Sequence, residues 1–215
     1  MSKIKEIAPA EIEKLSFEII SHELGDHKLN PLQEPIIKRV IHTTADFEYV
    51  HTLTFSEGVV ERAMAALRAG ATIVTDTQMA AAGINKAALA KLGCKIHCFI
   101  SDVDVAKEAE EKGVTRSSVC MDRGVQVGGK LIFAVGNAPT ALIRLEQLIR
   151  EGGLRPELII AVPVGFVNVV EAKVLITQLD IPFIVARGRK GGSNVAAAIC
   201  NALLYMCNPR PATVR

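Results

Sequence analysis

The sequence predicts an α/β fold, three layers deep (α/β/α) and doubly wound around a mainly parallel five-stranded sheet. Two observations carry that reading. Five apolar runs of strand length, residues 71–76, 95–100, 131–135, 158–162 and 183–186, alternate with segments of helical periodicity. Most of these runs are continuously apolar rather than alternating, as strands covered by helices on both faces must be.

Taken in order, residues 8–24 place Ile12, Leu15, Ile19 and Ile20 at helical spacing, with Pro9 suited to a first turn and Gly25 closing the segment. Ser16 lies near Ile12, Ile19 and Ile20 on that helix, either as a small residue at a helix contact or facing a ligand. Asn30-Pro31 opens a second helix. Its buried face of Ile36, Ile37, Val40 and Ile41 is broken by His42-Thr43-Thr44, so His42 starts a loop or a helix end. Residues 47–55 are too polar and aromatic for a core strand and read as a loop or an edge ribbon, with His51 on the surface. A helix over 56–68 is expected to be capped by Ser56 and ended by Gly70. Residues 106–113 and 116–127 are helix-like, on either side of a turn at Gly113-Val114-Thr115. Pro139 stands at the start of the helix through Arg144 and Ile149, where proline is tolerated. The last helix covers residues 194–206.

A chain of 215 residues, 49% hydrophobic, can fill one core well. A single domain over 1–215 is expected, with residues 1–15 as an N-terminal extension into the first helix. Residues 208–215 form a tail, and its Asn208-Pro209-Arg210-Pro211 stretch reads as disordered or surface-bound. The formal charge of +2 provides no general field for nucleic acid or an anionic membrane. Met1 to Glu6 has no apolar signal core, and no segment reaches the roughly 20 apolar residues of a membrane span, so a soluble cytoplasmic protein is expected. The five cysteines, Cys94, Cys98, Cys120, Cys200 and Cys207, are odd in number and mostly sit in apolar segments, as reduced core residues do. Cys94, His97 and Cys98 look briefly like metal ligands, but positions 94 and 98 share a strand face with Ile96, and core packing is the expectation. No metal site is expected.

The chemistry centres on Lys38 to Tyr49, where the imidazole of His42 stands among two hydroxyls, a carboxylate and a cation. Histidine moves a proton near neutral pH with little tuning; a histidine at a helix C-terminus also simply complements the helix dipole. Ligands of doubly wound folds bind beyond the carboxyl ends of the strands. There the sequence has Thr75-Asp76, Ser101-Asp102, Gly136-Asn137, Pro163-Val164-Gly165 and Arg187-Gly188-Arg189-Lys190-Gly191-Gly192-Ser193. The last of these, three cations and three glycines before a helix, is either a site for carboxylates or phosphates or a solvated basic turn. Asn137 either orients a ligand amide or caps its helix. Arg116 either pairs with a substrate carboxylate or lies free on the surface. The nucleotide-binding glycine fingerprints, the serine-hydrolase elbow and the zinc-protease helix are all missing. A cofactor-free enzyme for a polyanionic small molecule fits what remains.

Several long motifs, in order, resemble the precorrin-8X methylmutase family: Ile41-His42-Thr43-Thr44-Ala45-Asp46-Phe47, Gly70-Ala71 through Asp76, Gly136-Asn137-Ala138-Pro139-Thr140-Ala141-Leu142, Val162-Pro163-Val164-Gly165-Phe166-Val167 and Arg187 through Ser193. The resemblance runs from about Ser16 to about Leu204. It implies an isomerase of cobalamin biosynthesis that moves a methyl group from C-11 to C-12 of a tetrapyrrole, (cobalt-)precorrin-8, giving the corrin (cobalt-)hydrogenobyrinate. It also implies an α/β fold and a homodimer with active sites near the interface. The expectations that go with it are no resident cofactor, any cobalt belonging to the substrate, and a hand-over of product to other corrin-pathway enzymes. The family's active-site histidine falls on His42, which hydrogen-bonds or protonates a ring nitrogen. Substrate contacts are assigned to Ser16, Arg39, Thr43, Asp46, Thr75, Asp76, Arg116, Asn137, Arg187, Gly188, Arg189, Gly191, Gly192 and Ser193. The competing readings are a non-catalytic corrin carrier and a phosphosugar or nucleotide enzyme on the same fold.

Overall fold

The computed structural model describes residues 7–208. The chain runs α1 (Pro9–Leu24), α2 (Glu34–Thr44), α3 (Tyr49–Thr52), β1 (Leu53–Phe55), α4 (Val59–Arg68), β2 (Thr72–Thr75), α5 (Gln78–Gly83), α6 (Lys86–Lys91) and β3 (Lys95–His97). It continues through α7 (Val103–Lys112), α8 (Arg116–Gln126), β4 (Leu131–Val135), α9 (Pro139–Arg150), β5 (Leu158–Ala161), α10 (Val169–Thr177), β6 (Phe183–Ala186) and α11 (Ser193–Cys207).

The strands form one sheet in the order β1-β6-β5-β4-β2-β3. Every pairing is parallel except β1 with β6, which runs antiparallel with Leu53 opposite Ala186 and Phe55 opposite Ile184. The expected five strands are therefore six. Within 47–55 the edge ribbon holds for the last three residues, and because an edge strand is paired on one side only, β1 buries Leu53 alone and lacks a long apolar run. The expected run at 95–100 shortens to three residues on the opposite edge, while Phe99 and Ile100 leave the ladder to pack beneath the helices.

Alternation along the parallel strands divides the apolar side chains between two faces. Ile73, Ile132, Ile160 and Ile184 join one layer with α2, α4 and α11; Val74, Phe133, Ile159 and Val185 join the other with α8, α9 and α10. Cys120 and Cys200 are buried among them, and all five thiols are free. Cys94 just precedes β3, packs against the first layer and donates its thiol to the Leu67 carbonyl; Cys98 follows the strand. No group of three or more His, Cys, Asp or Glu able to hold a metal occurs among the described residues. Nor is any helix there long and apolar enough to cross a membrane. Residues 209–215 of the tail, where Pro209 to Pro211 are expected to be disordered or surface-bound, and residues 1–6 of the expected N-terminal extension lie outside the described residues.

One open local expectation is decided and one changes. Helix α2 continues through Thr44 and stops at Ala45, whose left-handed conformation (φ 53°) lets its N–H close on the Ile41 carbonyl at 2.7 Å. His42 is thus in the last helical turn, the helix end of its two expected placements. Ser56 is not a cap: its hydroxyl accepts the Phe183 N–H at 2.9 Å and ties the start of β6 to the edge, and Gly58 (φ 63°) leads into α4 instead.

Candidate active site

His42 is exposed on α2, and its imidazole stacks on Phe17 of α1 with ring centres 5.2 Å apart and planes 12° from parallel. The helix places it there: residues 36, 37, 40 and 41 turn inward and leave position 42 outward. Ser16, Ile20, Glu23, Ile41, Ala45 and Phe47 help His42 line a cleft of about 300 Å³. Ser16 spends its proton on the Ile12 carbonyl at 2.8 Å and so offers the cleft an acceptor. Arg39, one turn before His42, lies over the same Phe17 ring at 4.6 Å and pairs with Glu13 at 2.5 Å. Its guanidinium frames the aromatic platform rather than reaching into the cleft. Thr43 is exposed beside His42.

The end of α2 is tied to the basic turn. Asp46 and Glu48 both accept from the Lys190 ammonium, at 2.6 and 2.7 Å. That hydrogen bond holds the Asp46 carboxyl below its ordinary value, and the two carboxylates push the Lys190 ammonium up. Four residues and one ion pair therefore separate His42 from the turn. Within the turn, the Gly192 N–H donates to the Val162 carbonyl at 2.9 Å, the Arg189 carbonyl accepts from Gly165 at 3.1 Å, and Arg189 stacks over Phe166 at 5.4 Å. Phe166 and Val167 are 80% and 77% exposed, an apolar shelf on a polar rim.

A second cluster stands where β2 and β4 lie side by side and their connections leave in opposite directions, the switch point at which doubly wound sheets open a crevice. Asp76 accepts the N–H groups of Gly136, Asn137 and Ala138 at 2.9, 2.8 and 2.7 Å. Burial pushes its carboxyl up, against the pull of those three donors. The Thr77 and Ser193 hydroxyls meet at 2.8 Å, and an atom in place of the Gly136 α-hydrogen would fall 2.7 Å from Ser193 Cα, so this turn touches the start of α11. Asn137 is exposed on the crevice. Arg116, exposed at the head of α8, follows Thr115, whose hydroxyl meets that of Thr140 at 2.8 Å. This crevice lies two to three strand spacings from the β6 end, roughly 10–14 Å at about 4.8 Å per strand.

Not every expected residue converges. Thr75 is fully buried and Asp76 is 1% exposed, so each shapes the crevice from beneath without presenting its side chain to it. Arg187 continues the β6 alternation to the α10 side, where with Thr54 and Lys173 it lines a larger cavity of about 600 Å³. That cavity is walled by valines and Phe183 at the uncovered sheet edge. The smaller cleft holds the imidazole, the group assigned the proton transfer, and the larger holds the Lys173 ammonium. Gly188 is exposed, and Gly191 and Gly192 close the turn against the end of β5. Lys190, Phe17 and Phe166 are not among the assigned substrate contacts, although Lys190 is one of the three cations of the basic turn and Phe166 stands in a quoted motif.

The comparisons with known proteins agree on one family. The family model described as precorrin-8X methylmutase matches residues 11–206. The chain belongs to the precorrin-8X methylmutase family. A cobalt-precorrin-8 methylmutase of Salmonella typhimurium is 47% identical over 204 residues, 92% of this chain and 95% of that protein. One from Priestia megaterium is 43% identical, covering 94% and 90%. The crystal structure of a precorrin-8X methylmutase from Thermus thermophilus superposes with a TM-score of 0.85 at 39% identity, covering 92% of this chain and 97% of that one. As a methylmutase the chain is an isomerase, and its cleft and crevice are to be judged against a precorrin-8 tetrapyrrole.

Proposed function

We propose that the chain moves the methyl group of precorrin-8 from C-11 to C-12, with His42 as the group that hydrogen-bonds or protonates a ring nitrogen. The observation that carries this is the exposed imidazole, held flat on Phe17 in a cleft joined through Asp46 and Lys190 to the basic turn. Migration along a conjugated ring is eased when the density it displaces is met by a nearby proton, and an aromatic platform favours stacking of the ring edge. The arms of the macrocycle carry carboxylates. Arg189 in the turn and Arg116 beside the switch crevice are the cations open to them, with Asn137 and Ser193 as polar contacts between. Arg187 joins them only if the substrate wraps the β6 end. The cobalt-containing form is the substrate this reading favours, supported by the names of the Salmonella and Priestia relatives.

A cleft of about 300 Å³ is at the lower limit for small-molecule sites, and a four-ring macrocycle with its arms overfills it. This and the exposed Phe166 and Val167 support a homodimer in which a second copy completes the enclosure; a monomer by sedimentation with full activity would end that part of the reading. We place the enzyme in the cytoplasm, without a resident cofactor, passing its product to the next corrin-modifying enzyme. The test of the whole is His42→Ala with the chromophore followed in the visible. Turnover should fall by about 10²–10⁴ while product still binds. Undiminished turnover removes His42 from the chemistry.

A further inference from the structure

Lys173 is 2% exposed, and it and Asp76 are the two buried charged side chains among the described residues. Its ammonium meets two backbone carbonyls, Gly188 at 2.8 Å and Lys190 at 2.9 Å, and no carboxylate among the described residues. Burial lowers its pKa to about 8. A cation buried without a counter-ion, beneath a turn that already carries Arg187, Arg189 and Lys190, is costly. Methionine would fill the same space without burying a charge, and what it would lose is the hold on those two carbonyls, so the reason for lysine is to be sought in what it does to the turn.

The peptide links here are trans, and in a trans peptide the C=O and the following N–H point opposite ways. The Gly188 carbonyl shares its peptide with the Arg189 N–H, and the Lys190 carbonyl with the Gly191 N–H. Drawing both carbonyls inward turns both N–H groups outward, and neither donates to a protein acceptor among the described residues. The flanks of the turn are fixed separately, through Gly192 to Val162 and Gly165 to Arg189. Two N–H groups without a protein acceptor, in a turn that also carries the Arg189 side chain, are donors of the kind that take an oxyanion.

We infer that Lys173 is a positioning residue for the substrate: by holding the Gly188 and Lys190 carbonyls it aims the Arg189 and Gly191 N–H groups at a carboxylate arm of the macrocycle. This rests on the reading that the turn grips those arms. The test compares Lys173→Met, Lys173→Arg and Arg189→Ala, using turnover and absorbance titration with the corrin product. Lys173→Met should raise KM and product Kd about tenfold with kcat within about threefold, at an unlowered melting temperature, and Lys173→Arg should recover part of the loss. Unchanged KM in folded Lys173→Met, or kcat, KM and melting temperature deteriorating together, overturns the inference. Should Lys173→Met not fold, amide exchange on the unmodified enzyme decides: product must slow exchange at Arg189 and Gly191, and no slowing overturns it. If Arg189→Ala binds product normally, the carboxylate reading itself fails; if Arg189→Ala weakens binding and Lys173→Met does not, only the role of Lys173 falls.

Discussion

Gly191→Ala is the sharpest probe of how rigidly the basic turn is held. Gly191 has no left-handed backbone, so an alanine meets no torsional objection there. Space is the objection. The added methyl would lie 2.1 Å from the Val162 carbonyl oxygen and 2.8 Å from that of Pro163, and both contacts must open beyond 3.0 Å. Opening them draws the neighbouring Gly192 N–H away from Val162, where it now sits at 2.9 Å. Overpacking costs about 1–3 kcal/mol and a lost buried hydrogen bond about 0.5–1.5, so a destabilisation of about 2–4 kcal/mol is expected. In a chain of this size that lowers the melting temperature by about 4–16 °C. Urea denaturation and calorimetry measure it directly. Displacing the turn by about 1 Å should also reduce kcat/KM by about 10–10²-fold. A stability change under about 1 kcal/mol with normal kcat/KM would show that the turn yields freely, and the argument from its fixed geometry would then fail.

Two further outcomes are expected. Lys190→Met removes the hydrogen bond that depresses Asp46, so the carboxyl midpoint of Asp46, followed by NMR, should rise toward the ordinary aspartate value. In the unaltered enzyme the pair's contribution is present at neutral pH and lost as pH falls through the depressed Asp46 value, a dependence the substitution should abolish; an unmoved midpoint would mean the pair does not persist in solution. Burial pushes the Cys120 and Cys200 thiols up to about 12, so about one molecule in 10⁴ carries either thiolate at pH 8. Both should resist a disulfide reagent in the native protein and react in urea, and rapid labelling of either in the native state would contradict the burial.

The parallel strands were legible because covering a strand on both faces demands an unbroken apolar run, and 131–135 and 158–161 have one. Leu53–Phe55 was legible only as one of two readings, a loop or an edge ribbon, because an edge strand needs only one apolar face and three residues are too few to decide it. His42 stood out by residue type and by the break in the α2 pattern. The role of Asp76 did not, since a carboxylate after a strand has the same sequence whether it points at a ligand or folds back on three N–H groups sixty residues away. Arg187 was misplaced for a related reason: which face a residue takes just beyond a strand depends on whether the pleat continues, and here it does. Lys173 gave no signal at all, being a lysine in a helix that also carries Glu171 and the exposed Val174.

The distribution of charge over the rim says which groups can discriminate one anionic arm from another. Asp46 and Glu48 share the one Lys190 ammonium, and Asp76 is held by three backbone donors, so the repulsion these three acids offer an anionic substrate is reduced. The exposed guanidiniums of Arg116 and Arg189 attract it, but exposed charges are screened beyond about 8 Å at physiological ionic strength. They draw polyanions in without telling them apart. Discrimination must come from donors that cannot move: the backbone N–H groups of the turn, set from below by Lys173 and from behind by Gly191 against Val162. Raising the salt concentration should therefore weaken binding of the corrin product and of a generic polycarboxylate alike. The preference between them should survive, and if it collapses with salt, the exposed cations rather than the turn's backbone are reading the substrate.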